Sequence, residues 1–124
     1  MKRIVTEHDE QKALIIWARG RAATVPEIGL LYAVPNGGRR NPVTAAKLRE
    51  EGVLPGIPDL HLPVPRNSFA SLYIELKRKG GRLQAVQLER IDELQAQNNR
   101  VCVCYGWIEA ARAIETYLGC AKTV

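Results

Sequence analysis

The residues that could carry out chemistry lie in two short segments, Gly56 to Asp59 and Tyr73 to Lys77. Apolar and polar residues alternate in the second segment, which predicts a β-strand with Glu75 and Lys77 on the same face. Asp59 follows a Gly-Ile-Pro turn, and fifteen residues separate it from Glu75. Two carboxylates beside an ammonium group could hold a divalent metal ion and place a cation on a phosphate undergoing hydrolysis.

The length and charge of the chain limit what kind of protein it can be. With 124 residues it is long enough for a single domain, residues 1–124, that buries roughly two thirds of its unfolded surface. The net charge of +5 and the isoelectric point near 9.4 agree with a nucleic-acid partner, and equally with an ordinary basic protein. Charge alone therefore does not decide the function.

The cysteines and the N-terminus predict a protein of the reducing cytoplasm, without a membrane span. The chain has three cysteines, an odd number, and no apolar leader segment. Its longest apolar run is too short to cross a membrane. Cys102 and Cys104 have no second Cys or His pair at zinc-ligand spacing, so we expect them to be buried strand residues. Neither His8 nor His61 is placed for a nucleophilic triad.

Periodicity and turn residues predict an α/β fold, with a mixed central sheet flanked by helices in the order α-β-α-β-β-α-β-α. Thr6 is suited to cap a first helix that ends at Arg19. We expect a hairpin from the strands at 59–62 and 72–77. The other predicted elements are strands at 30–34 and 101–105 and helices at 42–51, 84–97 and 107–118.

Three more polar residues are candidates for the site. Gln87 falls on the apolar stripe of the helix at 84–97, where a buried amide needs partners; it either bonds to backbone or faces the site. On the first helix, Glu7 and Glu10 both have the spacing to point toward the sheet. The alternative for each acid is an exposed position that interacts favourably with the helix dipole.

Taken in order, these motifs resemble the VRR-NUC domain, a branch of the PD-(D/E)xK nucleases that stands alone in phages and prophages. Asp59, Glu75 and Lys77 match the superfamily signature. The resemblance implies a restriction-endonuclease-like core and is closer for Glu7 than for Glu10 as the first acid. It covers nearly the whole chain, through Glu7 with Gln11, residues 35–38, 52–60 and 73–77, Gly81-Arg82-Leu83 followed by Gln87, and Tyr105-Gly106.

The resemblance implies a metal-dependent DNA endonuclease whose products carry 5′-phosphate and 3′-hydroxyl ends. Asp59, Glu75 and the backbone carbonyl of Leu76 would hold Mg²⁺ or Mn²⁺, and Glu7 would add a ligand directly or through water. Lys77 would position the attacking water or offset negative charge. Gln87 would orient the lysine, the water or the phosphate. The residues expected on the DNA are Asn36, Arg39, Arg40, Arg78, Lys79 and Arg82.

The resemblance also bears on the substrate and the setting. Stand-alone members are similar to endonucleases of branched DNA such as Holliday junctions, and a two-fold symmetric junction is most simply cut by a homodimer. Such a protein would be phage or prophage encoded and act in the bacterial cytoplasm. The alternatives are a flap- or end-directed DNA nuclease, a restriction-type or RNA-directed enzyme of the same fold, and a catalytically silent DNA-binding module. The intact acids argue against the last, because carboxylates repel phosphate.

Overall fold

A mixed sheet lies at the centre of the protein, with helices on both sides. The computed structural model describes residues 4–35 and 42–124, and in these ranges the sheet has four strands and the helices and strands follow the predicted order. The elements are α1 (Glu7–Arg21), a 3₁₀ helix (Pro26–Leu30), β1 (Tyr32–Ala33), α2 (Pro42–Glu50), β2 (Leu60–Leu62), β3 (Leu72–Lys77), α3 (Ala85–Ala96), β4 (Arg100–Tyr105) and α4 (Trp107–Leu118).

The first strand is shorter than predicted. Residues 30–34 were expected to form it, but only Tyr32–Ala33 do, because Pro26 opens a 3₁₀ helix that continues to Leu30. Proline suits this position, since its fixed φ favours the first turn of a helix and the missing N–H is not needed there. The apolar run at Leu30 and Leu31 is thus divided between two kinds of backbone.

The cap of α1 is confirmed and fixes where this helix begins. The Asp9 N–H donates to Thr6 Oγ1 at 3.1 Å, and the Asp9 carboxylate accepts from the Thr6 N–H at 3.0 Å. This reciprocal pair satisfies two of the backbone donors that a helix start leaves free. The cap sets the rotation of the first turn, which carries both Glu7 and Glu10, although the helix ends at Arg21 rather than Arg19.

Pairing within the sheet aligns the rows of side chains that build the site. The strand order is β1-β2-β3-β4; β1, β2 and β3 are antiparallel, which confirms the predicted hairpin, and β4 is parallel to β3. A parallel pair needs a crossover connection, which α3 provides. Tyr32 pairs with His61 and His61 with Tyr73. Two residues beyond the His61–Tyr73 pair, the same register places Asp59, just before β2, opposite Glu75.

One face of the sheet is the apolar core. The aliphatic residues that β2 and β3 contribute to it are at most 1% exposed, and they pack against small and aliphatic residues of α1 and α4. Burying each large aliphatic side chain contributes about 1.5–3 kcal/mol, so this face anchors the strands that carry the site on their other face. These residues are Leu60, Leu62, Leu72, Ile74 and Leu76 from the sheet, and Leu14, Ala18, Ala110, Ala111 and Ile114 from the helices.

Two smaller expectations also have an outcome. Cys104 is buried in the core and Cys102 is half-buried, both as free thiols, in agreement with their assignment as strand residues. None of the helices in residues 4–35 and 42–124 is both long enough and apolar enough to span a bilayer.

Candidate active site

The polar face of β3 carries Glu75 and Lys77 side by side. Lys77 Nζ lies 3.6 Å from Glu75 Oε2, which confirms that the two side chains share a face. Both are buried, with 2% and 6% of their surface exposed. Lys77 favours the charged form of Glu75, because little water screens the interaction between two buried groups.

Asp59 joins them from the bend just before β2. Its Oδ2 accepts a hydrogen bond of 2.8 Å from the Leu76 N–H, so a side chain continues the β2–β3 pairing beyond the first residue of β2. Pro58, the preceding residue, is fully buried. The carboxylate of Asp59 is thereby fixed beside that of Glu75, as the Gly-Ile-Pro-Asp turn was expected to do.

The turn before Asp59 packs directly on the backbone of α3. Gly56 has a φ of +82°, and a Cβ there would lie 2.6 Å from the Val86 carbonyl oxygen. Only glycine fits, because it tolerates this backbone conformation and brings no atom into the contact. The loop that leads to Asp59 and the start of α3 are therefore in direct contact through their main-chain atoms.

That contact brings Gln87 of α3 to the site. Its Nε2 donates to Glu75 Oε2 at 3.2 Å, while its Oε1 accepts from the Gln84 N–H at 2.8 Å. The two alternatives for this amide are therefore both realised: one end caps the backbone of α3 and the other end contacts the candidate catalytic acid. A side chain held at both ends has a defined orientation.

The structure separates Glu7 from Glu10. Glu7 lines the same cleft as Asp59 and Glu75, and its Oε2 accepts from the Arg78 N–H at 3.3 Å. Glu10 Oε2 instead accepts from the Trp107 N–H at 2.6 Å, at the N-terminus of α4. An acid at that position satisfies a free backbone donor and complements the dipole of α4.

The pKa of Glu75 is unusual for an acid that lines a cleft. Burial raises its pKa to about 8, assisted by the negative charges of Asp59 and Glu7 and a hydrogen bond with Asp59, and opposed by Lys77. Its Oε1 is buried and has no hydrogen-bond partner among the described residues. A divalent cation fits this arrangement, because it would neutralise the paired carboxylates and contact the free oxygen.

The side chains present supply part of a metal site rather than a complete cage. No group of three or more His, Cys, Asp or Glu within residues 4–35 and 42–124 is arranged to hold a metal ion. A site for Mg²⁺ commonly has one or two carboxylates, with waters and substrate oxygens completing the octahedron. Asp59 and Glu75 meet that description.

A cleft of about 540 Å³ opens above these groups. Glu7, Asp59, Glu75, Lys77 and Gln87 form its polar wall. Arg49, in the last turn of α2, also lines the cleft. Its place in the sequence does not indicate this, because a basic residue there is ordinarily a partner of the helix dipole. The other residues that line the cleft are Ala45, Leu48, Val53, Pro55, Gly56, Ile57, Gln84 and Val86.

The expected DNA contacts fall into two groups. Asn36, Arg39 and Arg40 lie outside the described residues. Arg78 and Lys79 directly follow β3 with exposed side chains, and Arg82 is exposed shortly after them. These three basic residues therefore follow the end of β3 at which Lys77 lies. That position is compatible with contacts to a phosphate backbone that enters the cleft.

Comparison with known proteins places this site in a family context. The family model of the VRR-NUC domain matches residues 7–107, a range that includes all five side chains of the polar wall. A solved structure described as a VRR_NUC domain protein is 25% identical and superposes with a TM-score of 0.78, covering 98% of this chain and 94% of that chain. A search of curated proteins found no significant match.

Proposed function

We propose that this chain, which belongs to the VRR-NUC family and is thus a nuclease of the PD-(D/E)xK type, is a metal-dependent endonuclease of branched DNA. The observation that carries the metal requirement is Glu75, a buried acid with one unpartnered oxygen beside a second carboxylate. A protein that only bound DNA would gain nothing from placing a buried acid, Glu75, beside a half-buried one, Asp59, in a cleft that must accept phosphate.

Each side chain of the polar wall has a distinct part in this proposal. Gln87 and Lys77 both contact Glu75 Oε2, which leaves Oε1 for the metal. Asp59, Glu75 and the Leu76 carbonyl would hold Mg²⁺ or Mn²⁺, with Glu7 acting through water. The ion would polarise the scissile phosphate and supply an activated water. The ammonium group of Lys77 would offset the negative charge that develops on the phosphate.

The first experiment measures cleavage of a four-way junction, a flap, a single strand and a linear duplex in parallel, with Mg²⁺, Mn²⁺ or chelator. We expect cleavage of branched DNA with either metal and none with chelator, and ends that carry 5′-phosphate. Asp59→Asn should lose cleavage and still bind DNA, because it removes a ligand and reduces repulsion of phosphate. Asp92→Asn, an exposed acid on α3, is the matched control and should cleave normally.

Several results would change this proposal. Cleavage that persists in chelator would overturn the metal requirement. Degradation of single strands from their ends, at the rate of junction cleavage, would make the enzyme an end-directed nuclease. Cleavage of a linear duplex at a fixed sequence would indicate a restriction-type enzyme, and preference for RNA would indicate an RNA-directed one.

The proposed homodimer follows from the symmetry of the substrate. One cleft cannot reach two symmetric phosphates together, whereas a two-fold dimer presents one cleft to each. Sedimentation should give a dimer mass, and a mixed dimer with one Asp59→Asn chain should nick one strand. A monomer at the concentrations that cleave junctions would contradict paired cutting.

The proposed setting is the bacterial cytoplasm, for a phage or prophage product, in accord with free cysteines.

The basic residues are proposed as phosphate contacts. Arg49, Lys79 and Arg82, replaced one at a time by glutamine, should weaken binding about equally for all DNA sequences and reduce the slope of log K against log salt by about one unit each. The same holds for Arg39 and Arg40. Arg19→Gln, an exposed residue of α1, is the control of equal charge. A slope as steep as the wild-type slope would identify a residue as solvated surface.

A further inference from the structure

A row of three rings crosses the sheet beside the candidate catalytic residues. Tyr32 on β1, His61 on β2 and Tyr73 on β3 occupy paired positions. The rings of His61 and Tyr73 are stacked, with centroids 4.1 Å apart and planes 17° apart. The Tyr32 ring meets His61 edge-on, with centroids 5.3 Å apart. We call these three residues the aromatic row.

The aromatic row lies on the catalytic face of the sheet. His61 is two residues after Asp59, and Tyr73 is two residues before Glu75, so all four side chains point to the same side. Two residues of strand span about 7 Å. The aromatic row therefore runs parallel to the pair formed by Asp59 and Glu75, displaced from it by about 7 Å along the strands. The apolar core lies on the opposite face of the sheet.

The aromatic row is open to solvent at its β1 end. Tyr32 keeps 48% of its surface exposed, although it is a large ring on a sheet. His61 and Tyr73 are half-buried. Among the described residues, α1 and α4 cover the apolar face and α3 packs against β4, the strand farthest from Tyr32. An exposed ring beside a catalytic centre is available to a ligand.

Hydrogen bonds orient two of the three rings, those of Tyr32 and His61. Ser71 Oγ donates to Asn99 Oδ1 at 2.6 Å, so it accepts from His61 Nε2 at 2.9 Å. Nδ1 of His61 is then the acceptor for the Tyr32 hydroxyl at 2.6 Å. The Tyr32 hydroxyl and both ring nitrogens of His61 therefore have partners, so these two residues offer a ligand ring surface rather than unsatisfied polar groups.

We propose that the aromatic row stacks an unpaired base of the DNA strand beside the scissile phosphate. This inference rests on the proposed nuclease function and deepens it. Bases in a continuous duplex are already stacked, whereas bases at a branch point or in a single-stranded arm can turn onto an aromatic surface. The row would therefore favour branched or unpaired substrates over linear duplex without reading their sequence.

The test combines a change in the protein with a change in the DNA. The ligand is a duplex with a single-stranded arm that carries 2-aminopurine or an abasic site next to the branch, and binding is measured in chelator so that no cleavage occurs. Tyr32→Leu should weaken binding of the arm by about 5- to 10-fold, at the lower end of the range for one base stacked on an aromatic ring. It should also abolish the quenching of 2-aminopurine fluorescence.

Two matched variants separate stacking from a structural role. Tyr32→Phe keeps the ring and loses only the bond to His61, so its affinity should stay within about twofold of wild type. Leu30→Ala removes another exposed apolar side chain from the preceding 3₁₀ helix and should have no effect on affinity. The abasic arm should weaken wild-type binding as much as Tyr32→Leu does, and the two changes together should cost no more than either alone.

Each contrary result overturns the inference. Additive losses would mean that Tyr32 and the base do not meet. Equal losses for Tyr32→Phe and Tyr32→Leu would assign the row to sheet stability. If Tyr32→Leu fails to fold, the wild-type protein alone still tests the inference: equal affinity for the intact and abasic arms would show that no base is stacked there. The fluorescence measurement needs no turnover, so it decides the stacking even if the wild-type protein cleaves no DNA, a result that would overturn the proposed function instead.

Discussion

Two glutamates in this protein are equally buried and have opposite environments. Glu115 on α4 is 0% exposed and Glu75 on β3 is 2% exposed. Burial alone would raise the pKa of Glu115, but hydrogen bonds from Thr123 and Arg21 bring that pKa below its usual value. Burial and neighbouring acids raise the pKa of Glu75 to about 8. A buried acid with complete partners is structural, whereas one that lacks them is a candidate for chemistry.

The partners of Glu115 show what its burial achieves. Its carboxylate accepts from the Thr123 N–H at 3.0 Å and from Thr123 Oγ1 at 2.6 Å, with Arg21 Nε at 3.4 Å. Arg21 also donates to the Ala121 carbonyl at 2.8 Å, and Trp17 Nε1 donates to Thr123 Oγ1 at 3.1 Å. Glu115 thus ties the segment after α4 to α1, far from the cleft.

The largest effect on cleavage is expected when Glu75 is replaced by its amide, with the same replacement of Glu115 as the comparison. Glu75→Gln should reduce cleavage by about 10³-fold or more, because it removes a metal ligand, and it should leave stability unchanged or higher. Glu115→Gln should cleave normally per folded molecule and lose about 3 kcal/mol of stability, since Arg21 loses its buried partner. Cleavage rates and denaturant unfolding measure both. Similar profiles for the two variants would break the comparison.

A second prediction concerns the ammonium group beside Glu75. Lys77→Met should lower cleavage by about 10²-fold, because charge on the reacting phosphate is no longer offset. The increase in melting temperature that Mg²⁺ gives the wild-type protein should persist, since both carboxylates are still present. Loss of that increase would show that Lys77 acts by keeping Glu75 ionised and not on the phosphate.

A third, smaller effect separates the acids of α1. Glu7→Gln should lower Mg²⁺-supported cleavage by about 10-fold, the size expected for a ligand that acts through water. Glu10→Gln should keep its rate and lose less than about 1 kcal/mol of stability, because it weakens the favourable charge at the start of α4. The reverse order of rates would move the first catalytic acid to Glu10.

The smallest effect is a pH dependence of stability in chelator. Folded protein keeps the Glu75 proton up to about pH 8, whereas the unfolded chain releases it near 4.5. The stability that this proton gives is complete below pH 4.5 and is lost as the pH rises toward 8, by about 1 kcal/mol per pH unit. Glu115, with a lowered pKa, contributes stability above 4.5 that is lost only as the pH falls further.

Denaturant unfolding between pH 5 and 8 measures this slope. Because other groups also titrate in this range, the informative quantity is the difference in stability between wild type and Glu75→Gln. The stability of Glu75→Gln should fall less than that of wild type as the pH rises. Glu115→Gln should run parallel to wild type over this range. A Glu75→Gln curve that is also parallel would show that Glu75 is already ionised in the folded protein.

Local patterns were sufficient for part of the site. The alternation in β3 predicts that Glu75 and Lys77 share a face, since a strand has a period of two, and Thr6 marks the start of α1 by its capping chemistry. The family match extends these features to the fold. In each case the deciding residues are a few positions apart, which is why sequence reasoning reaches them.

The rest depends on contacts between distant parts of the chain. The bond from Trp107 to Glu10 joins residues 97 positions apart, so nothing in α1 itself indicates that Glu10 serves α4. Arg49 lines the cleft together with residues far from it in the chain, such as Glu7 and Gln87. Glu115 looks like a solvent-facing acid of an amphipathic helix until Thr123 folds back onto it. These assignments need the tertiary structure.

Gly56 has one further consequence. Since its contact with the Val86 carbonyl leaves no room for a carbon atom, the spacing between Asp59 and Gln87 is set by main chain against main chain. Side chains around the cleft can change without altering that dimension. A methyl group at position 56 would act as a wedge, leaving every reacting group present but holding two halves of the site apart. The enzyme's tolerance for mutation would then be narrowest at a residue that takes no part in its chemistry.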